Sequence, residues 1–289
     1  MKEIKFIDGK FVGSVDGKVI VKSTSKYYVQ RRIDEVDQEE AGDSSSIDFD
    51  INKRFGFVSD LVSMVACGAT PSAIITGEGG LGKTFTVMQA LSAAGLRDIS
   101  DVEAGSVVHP KSTFRVVKGF STAKGLYRIL FENQNSIIVF DDCDSVLKND
   151  DACNILKGAL DSFDKRIITW NTSRDDEELP RWFQFRGGII FISNMSMNKI
   201  EQSIRSRSMC VDLDMTMSQK IERMEEIMKS GDFLPDISMT IKVLSLDLIR
   251  EIGERCKEIS LRSLIKVCRI ASSGNSNWRS LAEYMLLQG

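Results

Sequence analysis

The stretch that decides the fold is "IITGEGGLGKTFT", residues 74–86. Residues 77–84 fit the pattern G-x-x-x-x-G-K-[ST], between an apolar run typical of a buried strand and the helical stretch 85–96. Glycines at these positions let backbone N–H groups surround a polyphosphate, and the helix N-terminus adds a favourable dipole. The sequence therefore predicts a phosphate-binding loop in which Lys83 reaches the β- and γ-phosphates and the Thr84 hydroxyl ligates Mg²⁺. The residues expected to contact the nucleotide are Gly77, Glu78, Gly79, Gly80, Leu81, Gly82, Lys83, Thr84 and Phe85.

A second motif, "SIIVFDDCDSVL" at residues 136–147, places Asp141, Asp142 and Asp144 directly after four apolar residues. Three carboxylates this close repel one another, and none of them can be buried without compensation. In proteins with a phosphate-binding loop, an aspartate at the end of a neighbouring strand also anchors the magnesium ion, and Asp141 fits that role. Asp142 is then placed to orient an attacking water and accept its proton. A strand-end acid that binds no metal is the alternative.

Short apolar runs alternate with helical segments between residues 55 and 214, which is typical of a buried parallel sheet in an α/β layer. The expected strands are residues 72–76, 114–117, 137–140, 189–193 and 210–213. From residue 218 onward the pattern is helical, and "TMSQ" at 216–219 has the spacing of a capping box that starts the first helix.

The amino-terminal segment has a different character. Residues 4–30 alternate apolar and polar side chains and contain Asp8-Gly9 and Asp16-Gly17, the strongest short hairpin signals. We expect a small β-meander at 1–32 with a basic surface, since that segment has eight basic and three acidic residues. Residues 33–50 carry eight acids and no base, which indicates a solvated linker.

Bulk composition excludes several classes. The 289 residues carry a net charge of −3, which gives no general attraction to nucleic acid or to an anionic membrane. No apolar run exceeds four residues, so no membrane span is expected, and the amino terminus lacks a signal-peptide core. The six cysteines show no C-x-x-C pair and His109 is the single histidine, so we expect reduced thiols, no zinc site and a cytoplasmic location.

Three further features lie downstream. Asn194 follows the apolar run of "GGIIFISNMS", Arg205 and Arg207 precede the last short strand in "SIRSRSMCVDL", and Arg262 lies in "SLRSL" within the helical region. With the phosphate-binding loop and the acid pair, these features resemble the AAA+ ATPase family over roughly residues 50–289. "FDDCDSVL" and "WRSLAEYML" are also similar to ATPases encoded by tailed bacteriophages, which would place the protein in the host cytoplasm.

The resemblance implies a parallel αβα core with a carboxy-terminal helical lid, beside the meander. It implies ATP and Mg²⁺ as ligands, with these roles: Lys83 and Thr84 in Walker A, Asp141 in Walker B, Asn194 as sensor 1, Arg207 as arginine finger and Arg262 as sensor 2. An arginine finger acts on a neighbour's nucleotide, so the resemblance implies a homo-oligomer, a hexamer or pentamer in a ring or spiral. Arg205 is the alternative finger, and a solvated basic pair is the alternative for both arginines.

One position departs from the family pattern, because most members have glutamate where this chain has Asp142. The shorter side chain draws the carboxylate back from the water by about one methylene. We expect slow hydrolysis, or a base role that Asp144 shares.

Residues 165–187 contain two short alternating segments around a charged loop, which predicts a β-hairpin immediately before Asn194. It resembles the pre-sensor-1 hairpin of DNA-handling and protein-unfolding family members. Its basic residues and tryptophans, Arg174, Arg181, Trp170 and Trp182, can contact single-stranded DNA, or the tryptophans can be packed aromatics. Residues 118–125 fall where family members place a pore loop, with Phe120 as its aromatic residue.

The expected domains are a meander at 1–32, a linker at 33–50, an ATPase domain at 51–215 and a lid at 216–289. The leading hypothesis is an ATPase that remodels nucleic acid or a nucleoprotein complex in DNA replication or recombination, with single-stranded DNA or a DNA-processing protein as partner. The alternatives are a protein unfoldase and an ATP-gated scaffold with slow hydrolysis. A small-molecule kinase is disfavoured, since it has no need for Arg207 in trans.

Overall fold

The computed structural model describes residues 2–7, 10–15, 18–23, 29, 49–101, 109–119, 122–163, 165–170, 178–229 and 231–288. The chain divides into two compact units, Met1–Phe49 and Asp50–Gly289.

The first unit contains a three-stranded antiparallel sheet, which confirms the predicted meander. Its strands are β1 (Lys2–Ile7), β2 (Lys10–Val15) and β3 (Lys18–Ser23), in that spatial order. The rings of Phe6 and Phe11, opposite each other on β1 and β2, lie 4.8 Å apart. Both Asp-Gly pairs lie outside the described residues, as do residues 33–48 of the acidic linker predicted at 33–50.

The second unit is built on a six-stranded sheet with a separate two-stranded hairpin. The strands are β4 (Ser72–Thr76), β5 (Arg97–Asp98), β6 (Thr113–Lys118), β7 (Ile137–Asp141), β8 (Arg166–Thr169), β9 (Trp182–Phe185), β10 (Gly188–Ile192) and β11 (Met209–Asp212). The sheet order is β11-β4-β10-β7-β6-β5 and every neighbouring pair is parallel, while β8 and β9 form the hairpin. The five predicted strands and the predicted hairpin are confirmed. Strand β5 was not predicted, because two residues carry no periodic signal.

The helices follow the predicted alternation and then the helical carboxy-terminal region. They are α1 (Ile51–Ala66), α2 (Lys83–Ala93), α3 (Ala123–Glu132), α4 (Asp144–Lys148), α5 (Asp150–Ala159), α6 (Gln202–Arg205), α7 (Met217–Lys229), α8 (Met239–Ile252), α9 (Leu261–Ser272) and α10 (Trp278–Gln288). The capping box is confirmed at the start of α7. The Gln219 N–H donates to Thr216 Oγ1 over 3.3 Å, and the Thr216 N–H donates to Gln219 Oε1 over 3.1 Å.

Alternate residues of the central strands enter two different hydrophobic clusters, one on each face of the sheet. On β7, Ile138 and Phe140 pack with α3, α5 and the buried face of the hairpin. Ile137 and Val139 of the same strand pack with α1 and α2 on the other face. Strand side chains point alternately to the two faces, so an all-apolar strand requires cover on both. The core is therefore an αβα sandwich, as expected.

The helices after β11 have their own apolar cluster. Its buried members include Met224 of α7, Leu248 of α8, Leu264 of α9 and Leu286 of α10. The amphipathic faces of these helices thus cover one another rather than the sheet. The residue boundaries of the predicted lid and of the other domains stay predictions.

The parallel register places the predicted site residues at one edge of the sheet. Ile192 of β10 pairs with Asp141 of β7, and it also pairs with Ile75 of β4. The chain segments that leave the carboxyl ends of these three strands therefore start side by side.

Candidate nucleotide-binding site

The loop at residues 77–82 follows β4, and its backbone conformation and close neighbours favour glycine at two positions. Gly77 has φ +132°, and a Cβ there would lie 2.8 Å from the backbone carbon of Leu213. Gly80 has φ +75°, and its Cβ would lie 3.1 Å from Ser260, just before α9. Both conformations suit glycine, and a Cβ would collide with the Leu213 backbone at Gly77 and press against the Ser260 side chain at Gly80. The loop is thus in close contact with the segments after β11 and before α9.

Lys83 begins α2 and is buried beneath the loop. Its Nζ donates to Gly77 O over 2.6 Å, to Glu78 O over 2.7 Å and to Asn194 Oδ1 over 2.9 Å. Burial lowers the pKa of this ammonium group, while nearby carboxylates, Asp142 foremost, act in the opposite direction. Three oxygen acceptors match the three ammonium protons, so the cation is fully hydrogen-bonded at the centre of the loop.

Thr84 and Asp141 form the expected oxygen pair for a metal ion. Thr84 Oγ1 donates to Asp141 Oδ1 over 2.9 Å, and Lys118 Nζ at the end of β6 lies 3.2 Å from Asp141 Oδ2. The described residues contain no group of three acidic, histidine or cysteine side chains placed to hold a metal. One carboxylate and one hydroxyl fit Mg²⁺, which is usually bound by one or two carboxylates together with waters and substrate phosphates. Lys118 was missed, although it directly follows a predicted strand as Asp141 does.

Asp142 and Asn194 lie side by side at the ends of β7 and β10. Asn194 Nδ2 donates to Asp142 Oδ1 over 2.7 Å, and the Asp142 N–H donates to Ile192 O over 3.0 Å. Asp142 has φ +55°, a left-handed conformation that aspartate tolerates better than most residues. The Asp142 side chain is exposed to the cavity described below. The two predicted residues are thus hydrogen-bonded to each other, and Asn194 also accepts a hydrogen bond from the loop lysine.

Asp144 is oriented differently from Asp142. Its Oδ1 accepts a hydrogen bond of 2.6 Å from Ser193 Oγ, and the same hydroxyl accepts from the Met195 N–H over 3.0 Å. Asp144 therefore fixes the backbone on both sides of Asn194. This arrangement favours a positioning role, and a base role shared with Asp142 stays a prediction.

These elements surround a cavity of about 220 Å³. The lining residues are Gly79, Gly80, Gly82, Lys83, Thr84, Phe85, Asp142, Ile192, Asn194, Leu261, Arg262 and Ile265. The Leu261 N–H donates to Gly80 O over 2.9 Å, which joins the start of α9 directly to the loop. Arg262 therefore lies at the same cavity as the phosphate-binding loop, and its sensor-2 role stays a prediction.

A second link to the helical region was not predicted. Glu78 in the loop forms a salt bridge with Lys220 of α7, whose side chain is buried. Near them, burial raises the pKa of the Asp214 carboxyl, with Asp212 and Glu78 acting in the same direction. No local signal could have paired residues 142 positions apart.

Arg207 lies away from this cavity. Its carbonyl oxygen accepts from Ser72 Oγ over 3.2 Å, beside the first residue of β4, whereas the loop follows the last residue of that strand. Its guanidinium Nη1 donates back to Ser203 O over 2.8 Å and is exposed. Arg205 is half-buried, and its Nε has no hydrogen-bond partner among the described residues. The geometry therefore separates Arg207 from the phosphate loop of its own chain.

The two hairpin tryptophans differ. Trp170 is half-buried with its ring 5.6 Å from Tyr127, so the packed interpretation holds for it. Trp182 is 62% exposed, so that interpretation is wrong for it. Arg174 and Phe120, two further expected contact residues, lie outside the described residues.

Fold and site together define an αβα protein with a phosphate-binding loop and carboxy-terminal helices. Residues 73–217, about half of the 289-residue chain, match the family model described as ATPase family associated with various cellular activities (AAA), and the chain belongs to that family. A protein of Enterobacteria phage T4, described as an uncharacterized 36.7 kDa protein in the nrdC-mobD intergenic region, is 28% identical over 300 residues. The match covers 95% of this chain and 86% of that protein, which supports the expected likeness to phage ATPases. No helix within the described ranges is long and apolar enough to cross a membrane.

Proposed function

We propose that the protein is an oligomeric, Mg²⁺-dependent ATP hydrolase that remodels nucleic acid or a nucleoprotein complex during phage-like DNA replication or recombination. The observation that carries the hydrolase part is the continuous set of hydrogen bonds from Lys83 through Asn194 to Asp142. It connects the phosphate-binding lysine to Asp142, the candidate base that lines the cavity. A loop that only held phosphate would not need this connection.

The roles follow from position. The loop N–H groups and Lys83 bind the phosphates, Arg262 approaches them from α9, and Asp142 accepts the proton of the attacking water. Asn194 holds Asp142 and aligns that water. Thr84 and Asp141 hold Mg²⁺, which when bound neutralises charge on the phosphates.

Arg207 supports the oligomeric part of the proposal. Arg207 is exposed beside the first residue of β4, whereas the phosphate-binding loop follows the last residue of that strand. Its side chain therefore cannot reach the cavity of its own chain in this fold. In a ring or spiral of five or six chains it can reach the neighbour's nucleotide, where such an arginine is worth ~10³–10⁵ in rate.

The substrate part is supported by the exposed Trp182 and by the basic amino-terminal sheet. A second candidate, an ATP-gated scaffold with slow hydrolysis, is favoured by the pairing of Asp142 with Asn194, because a carboxylate held by an amide is less available to water.

The proposed domains are a meander at 1–32, a linker at 33–50, an ATPase domain at 51–215 and a lid at 216–289.

The test measures ATP turnover at several protein concentrations with and without single-stranded DNA. Wild type, Arg207→Ala and the matched surface variant Lys199→Ala are compared, since Lys199 is an exposed cation in the same segment. Turnover that rises with concentration and with DNA, and that Arg207→Ala alone removes, supports the proposal. Nucleotide-dependent assembly without turnover in wild type supports the scaffold.

Mixing two inactive variants tests action in trans. Asp142→Asn keeps Arg207 but lacks the base, and Arg207→Ala keeps the base but lacks the finger. Mixed oligomers contain some sites with both groups, so turnover should reappear on mixing. A mixture as inactive as its components contradicts a finger in trans.

A further inference from the structure

A second cleft lies at the other edge of the sheet, where the strands begin. Its volume is about 530 Å³, larger than that of the nucleotide cavity. It is formed by the turns before β4, β7 and β10 and by the segment between α5 and β8. The charged residues that line it are Lys111, Arg166, Arg186 and Asp161, three cations against one acid. A site of this size and charge suits an anionic ligand.

One of these cations, Arg166, is hydrogen-bonded to backbone carbonyls of its own chain. Arg166 Nη1 donates to Ala159 O over 2.9 Å and Nη2 donates to Gly187 O over 2.7 Å, with the guanidinium 5.2 Å from the Phe185 ring. It fixes the base of the hairpin to α5 and β10. Lys111 and Arg186, in contrast, are exposed at the rim, and Arg186 also donates to Gln184 Oε1 over 2.7 Å. The cleft therefore presents two solvent-facing cations, Lys111 and Arg186.

An aromatic side chain stands at the same rim. Phe163 lines the cleft and is 74% exposed, which is unusual for a ring of that size. Lys165, two residues on, is exposed as well. A free aromatic face beside cations is the combination that binds unpaired bases and their phosphates.

The outer face of the hairpin continues this surface. Because side chains alternate along a strand, Ile168, Phe183 and Phe185 are buried, while Ile167 and Trp182 point outward, 42% and 62% exposed. Trp182 is the first residue of β9 and Arg186 directly follows that strand, so the two lie four residues apart, roughly 13 Å at the rise of an extended strand. The exposed rings of Phe163 and Trp182 thus stand at the two ends of one strip, with Ile167 between them.

We propose that this strip, defined by Phe163, Lys165, Ile167, Trp182 and Arg186, binds single-stranded nucleic acid, with bases stacked on the two rings and phosphates on the cations. The inference rests on the proposed function and names its substrate class and its contact surface. The net charge of −3 gives the chain no general attraction to phosphate, so any nucleic-acid contact depends on a local basic surface such as this strip. Single strands are favoured over duplex because stacking on a side chain requires an unpaired base.

The experiment titrates full-length protein into a fluorescein-labelled oligothymidylate and follows anisotropy over a range of salt concentrations. Trp182→Ala and Phe163→Ala should each weaken binding by about tenfold, as expected for loss of one base stack. The double variant Lys165→Glu, Arg186→Glu should flatten the salt dependence, since log affinity changes with log salt by about −0.7 per phosphate contact for single strands. Basal ATP turnover and thermal unfolding of these exposed-site variants should match wild type.

Matched controls come from the helical region, where Tyr284 is 66% exposed and Lys257 is exposed. Tyr284→Ala and Lys257→Glu should bind as wild type does. Strip variants that all bind the oligonucleotide as well as wild type does would overturn this surface but leave the proposed function standing. Wild type that fails to bind at all overturns the nucleic-acid part of both. Competition by polyglutamate as strong as by oligothymidylate would show an acidic polypeptide site instead.

Discussion

Asn194 hydrogen-bonds to Lys83 through its amide oxygen and to Asp142 through its amide nitrogen, over 2.9 Å and 2.7 Å. The ammonium group only donates and the carboxylate only accepts, so the amide has one possible orientation. Asn194 is therefore a fixed link between the phosphate-binding cation and the candidate base. If a bound phosphate draws Lys83 away, the amide oxygen loses this partner, and we expect the hold of Asn194 on Asp142 to change.

The first prediction concerns the base. Asp142→Asn should lower ATP turnover by about 10²–10⁴, the usual contribution of a general base, without preventing ATP binding. Asp142→Glu should retain turnover, because it restores the side chain that most family members carry. Steady-state turnover and ATP binding by fluorescence titration measure the two effects separately. An Asp142→Asn protein as fast as wild type would remove Asp142 from the mechanism.

Much of this site could be predicted because its signals are local. The glycines, Lys83 and Thr84 are contiguous, and Asp141 and Asn194 each follow an apolar strand whose end must lie at the same edge of a parallel sheet. The contacts of Glu78 with Lys220 and of Gly80 with Leu261 could not be predicted. They depend on how a second hydrophobic cluster packs against the loop, and no pattern of apolar residues specifies that. The exposure of Trp182 could not be predicted either. Alternation along a strand defines two faces, but it does not say which face packs against the rest of the protein.

The second prediction concerns Lys118, whose ammonium group competes with a metal ion for the Asp141 carboxylate. Lys118→Ala should lower the Mg²⁺ concentration that gives half-maximal turnover. The Lys118 side chain is 67% exposed, and an exposed ion pair is worth no more than ~1 kcal/mol, so the shift should not exceed about fivefold. Mg²⁺ titrations of turnover check this, with Lys148→Ala as an exposed control. A raised Mg²⁺ requirement would instead indicate that Lys118 helps to bind the phosphates.

The third prediction concerns stability at alkaline pH. Burial raises the pKa of the Cys153 thiol from 9.0 to about 11, with Glu201 acting in the same direction. The unfolded chain loses this proton near pH 9 while the folded chain keeps it, so the unfolded state binds fewer protons between those values. The free energy of unfolding should fall with rising pH in this window, by at most about 1.4 kcal/mol per pH unit for this thiol.

Cys153→Ala should remove that part of the slope, whatever it does to stability at neutral pH. Urea unfolding at a series of pH values from 8 to about 11 measures the slope, given the linkage of stability to proton binding. Cys67→Ala is the control, because Cys67 is exposed. An unchanged slope in Cys153→Ala would show that the thiol ionises equally in both states.

The last prediction concerns the salt bridge between the loop and α7, whose two partners differ in burial. The Lys220 side chain is 9% exposed and the Glu78 side chain 51%. Glu78→Gln leaves a buried ammonium without a counter-charge, whereas Lys220→Met keeps the apolar stem and leaves a carboxylate that water can solvate. Glu78→Gln should therefore lower the free energy of unfolding by about 1–3 kcal/mol, and Lys220→Met by less than ~1 kcal/mol.

The double variant distinguishes the pair from its surroundings. Without the buried cation, the Glu78→Gln change should cost little, so the double variant should be about as stable as Lys220→Met alone. Urea unfolding of the four proteins gives the coupling free energy directly. Equal losses in the two single variants, or a larger loss in Lys220→Met, would mean that the lysine is solvated in solution. In that case the link from the phosphate-binding loop to the helical region would depend on the Gly80–Leu261 backbone hydrogen bond and the packing around Ser260.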